Sequence, residues 1–148
     1  MRGSAQAKID EKGRLKLPAS YRADIESEWK TPAVYLTCDD SYGQYVRIYP
    51  LPVWQEIEAN LRKMGSTHPA RRRFERWTSF YGMEGEIDSQ GRVLIPPQLR
   101  EPAAMQGDVV VLATATYLEV WNLARAQSKK DEDRVTDDDY KSLSEHGI

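Results

Sequence analysis

From Lys8 to Leu17 apolar and polar residues alternate, with Ile9, Leu15 and Leu17 set against Lys8, Asp10, Arg14 and Lys16. That is the period of a half-buried strand. Glu11-Lys12-Gly13 interrupts it with a turn, in which a glycine is free to take a positive φ. The pattern predicts a hairpin with one face inward and Lys8, Asp10, Arg14 and Lys16 together on the other. Pro18 stops the second arm and suits the first turn of a short helix through Tyr21, Arg22 and Ile25. Val34 to Thr37 and Tyr45 to Tyr49 read as two more strands, joined by the polar, turn-rich loop Asp39-Asp40-Ser41-Tyr42-Gly43.

The pattern then recurs. Gly85 to Pro96 repeats Ala7 to Pro18 at one fixed offset, so that Ile9 matches Ile87, Asp10 matches Asp88, Gly13 matches Gly91 and Arg14 matches Arg92. Leu15 and Leu17 match Val93 and Ile95, Pro18 matches Pro96, and Arg22 matches Arg100. Val109 to Ala113 and Tyr117 to Trp121 answer the later strands. Each unit is therefore strand, turn, strand, short helix, strand, loop, strand. Two half-size units within 148 residues are too small to bury separate interiors, so they should share one core.

Two amphipathic helices are predicted between the units. Residues 52–64 carry Trp54, Ile57, Leu61 and Met64 on one stripe, and residues 69–81 carry Ala70, Phe74, Trp77 and Tyr81 on another. Gly65-Ser66-Thr67 separates them and offers Thr67 as a cap. Helical spacing directs the aromatic stripe to one face, which reads as core rather than as a base-stacking platform. A short helix should follow Asn122, and from Ser128 onward the charged residues read as a solvated tail. The organisation is a unit at 1–50, a two-helix connector at 51–81, a second unit at 82–124, and a short helix with an acidic tail at 125–148. The fold class is mainly β with helices, α+β.

Net charge conceals a local asymmetry. The chain carries -2 overall, with 21 Lys and Arg against 23 Asp and Glu. The excess acid lies beyond Arg125, so the body is neutral, yet Met1 to Arg22 holds six cations against Asp10 and Glu11 alone. A polyanion partner is compatible with that distribution. Arg71-Arg72-Arg73 and Arg76 form a second basic cluster, but consecutive residues radiate around a helix and cannot all face one groove. They read as a solvated face, or as partners of Glu75, Glu56 and Glu58 in salt bridges.

The catalytic repertoire is poor. His68 and His146 are far apart, the first beside a helix start and the second in the tail, and Cys38 has no neighbouring histidine. No metal-ligand spacing, catalytic dyad or cofactor loop can be assembled, so the expectation is a protein without enzymatic activity, cofactor or metal. No apolar run approaches the roughly 20 residues of a membrane span. Met1-Arg2-Gly3-Ser4 lacks the apolar core of a signal peptide, and a lone cysteine forms no intrachain disulfide. A cytoplasmic location is expected.

The repeated motif admits two roles. Asp10 and Asp88 could form a carboxylate pair, but each has an arginine four residues on across a turn, and pairing with Arg14 and Arg92 is simpler. The clamp then holds Lys12, Arg14 and Lys16 at the tip and face of a hairpin, where cations meet phosphates and a guanidinium reads guanine edges. The second copy has Glu86 for Lys8, Gln90 for Lys12 and Leu94 for Lys16. The polyanion face is therefore assigned mainly to the first repeat, as Lys8, Asp10, Lys12, Gly13, Arg14 and Lys16, with Asp88 and Arg92 as a weaker second contact.

With its two Asp-x-x-Gly-Arg copies, each leading into an apolar strand and proline, the sequence resembles the MraZ family of bacterial transcriptional regulators. The resemblance extends through Ile48-Tyr49-Pro50-Leu51-Pro52-Val53-Trp54, the arginine-rich second helix and Leu118-Glu119-Val120-Trp121, nearly all of the chain to Asn122. It implies two tandem swapped-hairpin units of the AbrB and SpoVT type, closing as a pseudo-two-fold β barrel. It also implies a homo-oligomeric closed ring that binds repeated short sites on double-stranded DNA upstream of its own gene, at the head of the division and cell-wall cluster. Such a protein would associate with the nucleoid. The family motif, an aspartate with an arginine four residues later, is present as Asp10 with Arg14 and Asp88 with Arg92. The acidic C-terminal extension departs from the pattern. A protein-sequestering ring scaffold or antitoxin-like module is the alternative, with the acidic tail as a partner-binding arm.

Overall fold

The computed structural model describes residues 1–38 and 43–148; Asp39 to Tyr42 of the turn-rich loop lie outside the described residues. The first unit contains β1 (Gly3–Ile9), β2 (Arg14–Lys16), α1 (Ala19–Trp29), β3 (Ala33–Thr37) and β4 (Val46–Pro50). Two helices follow, α2 (Leu51–Arg62) and α3 (Pro69–Phe80). The second unit contains β5 (Gly82–Glu86), β6 (Arg92–Leu94), α4 (Pro97–Arg100), β7 (Gly107–Ala113) and β8 (Leu118–Asn122). The chain ends with α5 (Leu123–Glu132) and α6 (Asp137–Ser144).

All eight strands join one antiparallel sheet in the order β5-β3-β4-β8-β7-β1-β2-β6. The two ends of that order, β5 and β6, are consecutive in the chain, so their turn nearly closes a barrel. The units are swapped. β1 pairs with β7 from Gly3↔Ala113 to Ile9↔Gly107, and β3 pairs with β5 from Ala33↔Glu86 to Thr37↔Gly82. Each unit thus completes its sheet with a strand of the other, and the mixed α+β class and the pseudo-two-fold barrel implied by the resemblance are present.

The pseudo-dyad falls at β2 and β6, where Leu15 stands opposite Val93, its own counterpart in the repeat. Leu15, Leu17, Val93 and Ile95 point inward and are almost wholly buried, joined by Ile9, Ile87, Val34, Val46, Val109 and Val111 in one core. Alternation within three-residue strands does this: a one-residue slip would turn Arg14, Lys16 and Arg92 inward. β1 begins earlier than its own pattern suggests, because β7 supplies a seven-residue ladder for the small and polar Gly3 to Ala7.

The helices depart from the repeat. α1 runs eleven residues and stops at Lys30, whose left-handed backbone (φ 58°) precedes Thr31-Pro32, so it is longer than the short helix expected. α4 keeps only four residues, because Pro102 closely follows it. In α3 the cap is not Thr67 but His68, whose Nδ1 accepts the N–H of Ala70 at 3.1 Å. Pro69 takes the first helical position, which makes the residue just before it the cap.

The aromatic stripe of α3 is shallower than core. Trp77 and Tyr81 are partly buried, Phe74 remains exposed against Trp54, and Phe80 is 73% exposed. The helix is seated instead through Thr78, whose carbonyl accepts Tyr35 Oη at 2.7 Å, and through Tyr81, whose carbonyl accepts Thr37 Oγ1 at 2.8 Å. The acidic C-terminal stretch is solvated as expected, and it is also helical. α6 begins with a capping box in which Thr136 and Asp139 exchange side-chain and backbone hydrogen bonds. Among the described residues no helix is long and apolar enough to cross a membrane.

Candidate nucleic-acid interface

Each hairpin turn is built around one carboxylate. Asp10 Oδ1 accepts the backbone N–H groups of Lys12 (3.0 Å) and Arg14 (2.9 Å), while Oδ2 accepts Arg14 Nε at 2.7 Å. Asp88 repeats the arrangement with Gln90 N (2.9 Å), Arg92 N (2.9 Å) and Arg92 Nε (3.1 Å). Backbone bonds from Gly13 N to Asp10 O and from Gly91 N to Asp88 O close the turns, at 3.0 Å each. Gly13 and Gly91 have φ of +84° and +77°, a region that costs an L side chain roughly 1–2 kcal/mol.

The electrostatics follow from those bonds. The Asp10 carboxyl is held below its ordinary pKa of 3.8 chiefly by the Arg14 backbone N–H, with the Arg14 guanidinium and Lys12 N–H adding and partial desolvation opposing. Asp88 is lowered in the same way, first by the Arg92 backbone N–H and then by those of Gln90 and the Arg92 side chain. Neither carboxyl is a candidate acid, and the two do not pair with each other. Among the described residues no three His, Cys, Asp or Glu side chains are grouped to hold a metal ion.

Anchoring through Nε fixes each guanidinium and leaves its terminal fork unused. Among the described residues Nη1 and Nη2 of Arg14 and Arg92 make no hydrogen bond. A fork oriented by a carboxylate behind it is suited to a planar pair of acceptors, such as O6 and N7 of guanine.

The two turns form one face rather than two sites. Arg14 stands opposite Leu94, and Lys16 opposite Arg92, all outward from the β2–β6 ribbon. Leu17 N donates to Gly91 O and Ile95 N to Gly13 O, both at 2.9 Å, so each turn is tied to the other unit. Lys16 Nζ donates to the Gln90 carbonyl. The lysine of the first hairpin thus adds its charge at the turn of the second.

Two arginines that were matched in the repeat, but given no role from the sequence, complete the face. Arg22 Nη2 donates to Ser89 O at 3.1 Å, and a Cβ at Gly91 would lie 3.2 Å from Arg22 Cδ. Arg100 lies over the first turn, where a Cβ at Gly13 would come within 2.5 Å of its Cζ and 2.7 Å of its Nε. Each glycine is therefore a seat for an arginine from the other unit. Their identical offset was the available signal, but only the swap shows that each reaches across.

The remaining assigned residues divide. Lys12 is exposed at the tip with no ion pair among the described residues. Lys8 lies on the neighbouring β1, opposite Asp108 and 4.0 Å from its carboxylate. That exposed pair is worth little and opens readily. On the other flank β5 presents Glu84 and Glu86, which bound the cationic surface. The second basic cluster stays apart on α3: Arg71 Nε pairs with Glu75 at 2.6 Å, while Arg72, Arg73 and Arg76 are exposed.

A family model described as "MraZ protein, putative antitoxin-like" matches residues 1–77 and 83–139. Proteins named Transcriptional regulator MraZ from Acidobacterium capsulatum and Koribacter versatilis are each 37% identical over 147 residues, covering 99% of this chain and 99% of each relative. One from Legionella pneumophila is 37% identical over 131 residues, 88% of this chain and 85% of the relative. With the duplicated turn, the swapped barrel and similarity along the whole length in agreement, the chain belongs to the MraZ family.

Proposed function

We propose that this protein is a sequence-specific DNA-binding transcriptional regulator, without enzymatic activity, that acts in the cytoplasm at the nucleoid. Relatives that span its full length are named transcriptional regulators, which supports the regulatory role. The observation that carries the DNA reading is the β2–β6 ribbon, with Arg14 and Arg92 held from behind by Asp10 and Asp88 and their forks outward. A two-stranded ribbon is narrow enough for the major groove. Lys12 and Lys16 then meet phosphates, Arg14 reads guanine, and Lys8, freed from Asp108, adds a flanking charge. Gly13 admits the turn, and Arg92 supplies the second contact.

One ribbon bearing three or four phosphate-contacting cations binds weakly, with a logarithmic salt slope of about -3 to -4. A closed homo-oligomeric ring on repeated promoter boxes turns such contacts into avidity when box spacing matches the spacing of ribbons. Exposed Phe74 and Phe80 on α3, beside Arg72, Arg73 and Arg76, support that helix of the connector 51–81 as the contact between copies. The two units, 1–50 and 82–124, share the DNA face, while the 125–148 segment lies outside it. The target would be the protein's own promoter, at the head of the cell-division and cell-wall genes.

The test is binding to the DNA immediately upstream of the protein's gene, against a scrambled duplex of equal length, over a salt series. Tight binding to the first alone, lost in Arg14→Ala without change in oligomer size, is the expected result. Equal and weak binding to both duplexes would overturn the reading and favour a protein partner, the antitoxin-like alternative.

A further inference from the structure

The pseudo-dyad through Leu15 and Val93 relates Arg14 to Arg92 and Lys16 to Leu94. The arginines obey it and the second pair breaks it. Opposite Arg92 stands a lysine; opposite Arg14 stands a leucine that is 48% exposed on a strand whose neighbours Val93 and Ile95 are fully buried. Leu94 is outward because strand alternation fixes it there, not because the core lacks room. A leucine exposed within a face of Arg14, Lys16 and Arg92 matches an occupant that is both anionic and locally apolar.

We propose that Leu94 is a specificity-determining residue that contacts the 5-methyl group of a thymine in the base pair adjoining the one read by Arg14. This rests on the DNA-binding reading above and deepens it. Directly opposed residues on antiparallel strands have Cβ atoms about 4.5–5.5 Å apart. Successive base pairs rise about 3.4 Å along the duplex, so a fork on one pair sets its cross-strand neighbour over the next. The major groove offers one apolar group at a base edge, the thymine methyl, and side-chain contact with it is an established mode of readout. Charge selects the same occupant: Arg14 stands opposite Leu94, and Lys16 and Arg92 form the adjoining pair of the ribbon.

The test uses a random-sequence duplex pool selected on the intact protein. The enriched duplex is then resynthesised with each thymine replaced singly by deoxyuridine, which removes only the methyl. For the wild-type protein one replacement should weaken binding about fourfold, which is the ~0.8 kcal/mol of one buried methylene-sized group at 1.4 kcal/mol per decade. Leu94→Ala should bind the thymine and deoxyuridine duplexes alike. Leu94→Lys, which restores the symmetry with Lys16, should keep overall affinity and also lose the discrimination. Indifference of the wild type to every replacement, or discrimination retained by Leu94→Ala, would overturn the proposal. So would a change in oligomer size on Leu94→Ala by light scattering, which would make the occupant a second copy of the chain. Failure to enrich any sequence would instead bring down the DNA-binding reading itself, whereas enrichment that depends on Arg14 but ignores the methyl sinks only the role of Leu94.

Discussion

A single carboxylate decides the shape of each hairpin tip. Asp10 satisfies two backbone donors and a guanidinium at once, so the turn and the arginine are fixed by the same group. Its folded pKa is depressed, and the stability it contributes is therefore complete above the ordinary value of 3.8 and is lost as pH falls through the lower, folded value. Asp88 behaves alike. On titration from pH 7, the amide resonances of Lys12, Arg14, Gln90 and Arg92 should hold still to about pH 4.5 and move only below about pH 4. Movement centred near pH 6 would show that these carboxyls are not the turn's anchors.

Among the secondary-structure elements, the strands keep the repeat and the helices do not. β1, β2, β3 and β4 have counterparts in β5, β6, β7 and β8, whereas α1 and α4 differ in length by more than a turn. What α1 and α4 preserve is one arginine each, Arg22 and Arg100, delivered to the glycine turn of the opposite unit. Loss of Arg22 should therefore act at a distance in sequence. In Arg22→Ala, hydrogen exchange should accelerate at Gln90 and Arg92, about 70 residues on, while Lys12 and Arg14 on the nearer turn keep their protection. Equal acceleration at both turns would show general loosening of the barrel rather than a latch.

At the scale of the whole molecule, the proposed DNA face and the aromatic helix face are built from different elements. The ribbon is β2 with β6; the exposed phenylalanines are on α3, which packs across β5 and against α2. If α3 joins copies, Phe80→Glu should reduce the assembly to smaller species by light scattering while leaving the thermal midpoint within a few degrees, since the side chain is largely exposed in the isolated chain. Binding to promoter DNA should then fall by the lost avidity, roughly 10²-fold or more, with the salt slope approaching that of one ribbon. An unchanged assembly would move the contact to another surface.

The alternation of Ile9, Leu15 and Leu17 with charged residues, and its recurrence, determined the hairpins, the shared core and the doubled Asp-to-Arg clamp from the sequence alone. The hairpins and the clamp depend on neighbours within ten residues, where the period of a strand and the freedom of a glycine are readable directly, and the shared core follows from the size of the repeated units. The helix ends were less legible: Pro69 moved a cap by one residue, and Pro102 cut α4 short. Partnership across the repeat was decided by tertiary structure alone. The sequence matched Arg22 with Arg100 and separated Lys16 from Leu94 by composition, but an offset cannot say which unit a side chain reaches. Strand exchange set Arg22, Lys16 and Gly91 together, and it placed Leu94 opposite Arg14 at the pseudo-dyad. The physical reason is that a half-size unit cannot cover its own apolar face, so its edges are completed by the other unit, and every contact across that exchange is long-range.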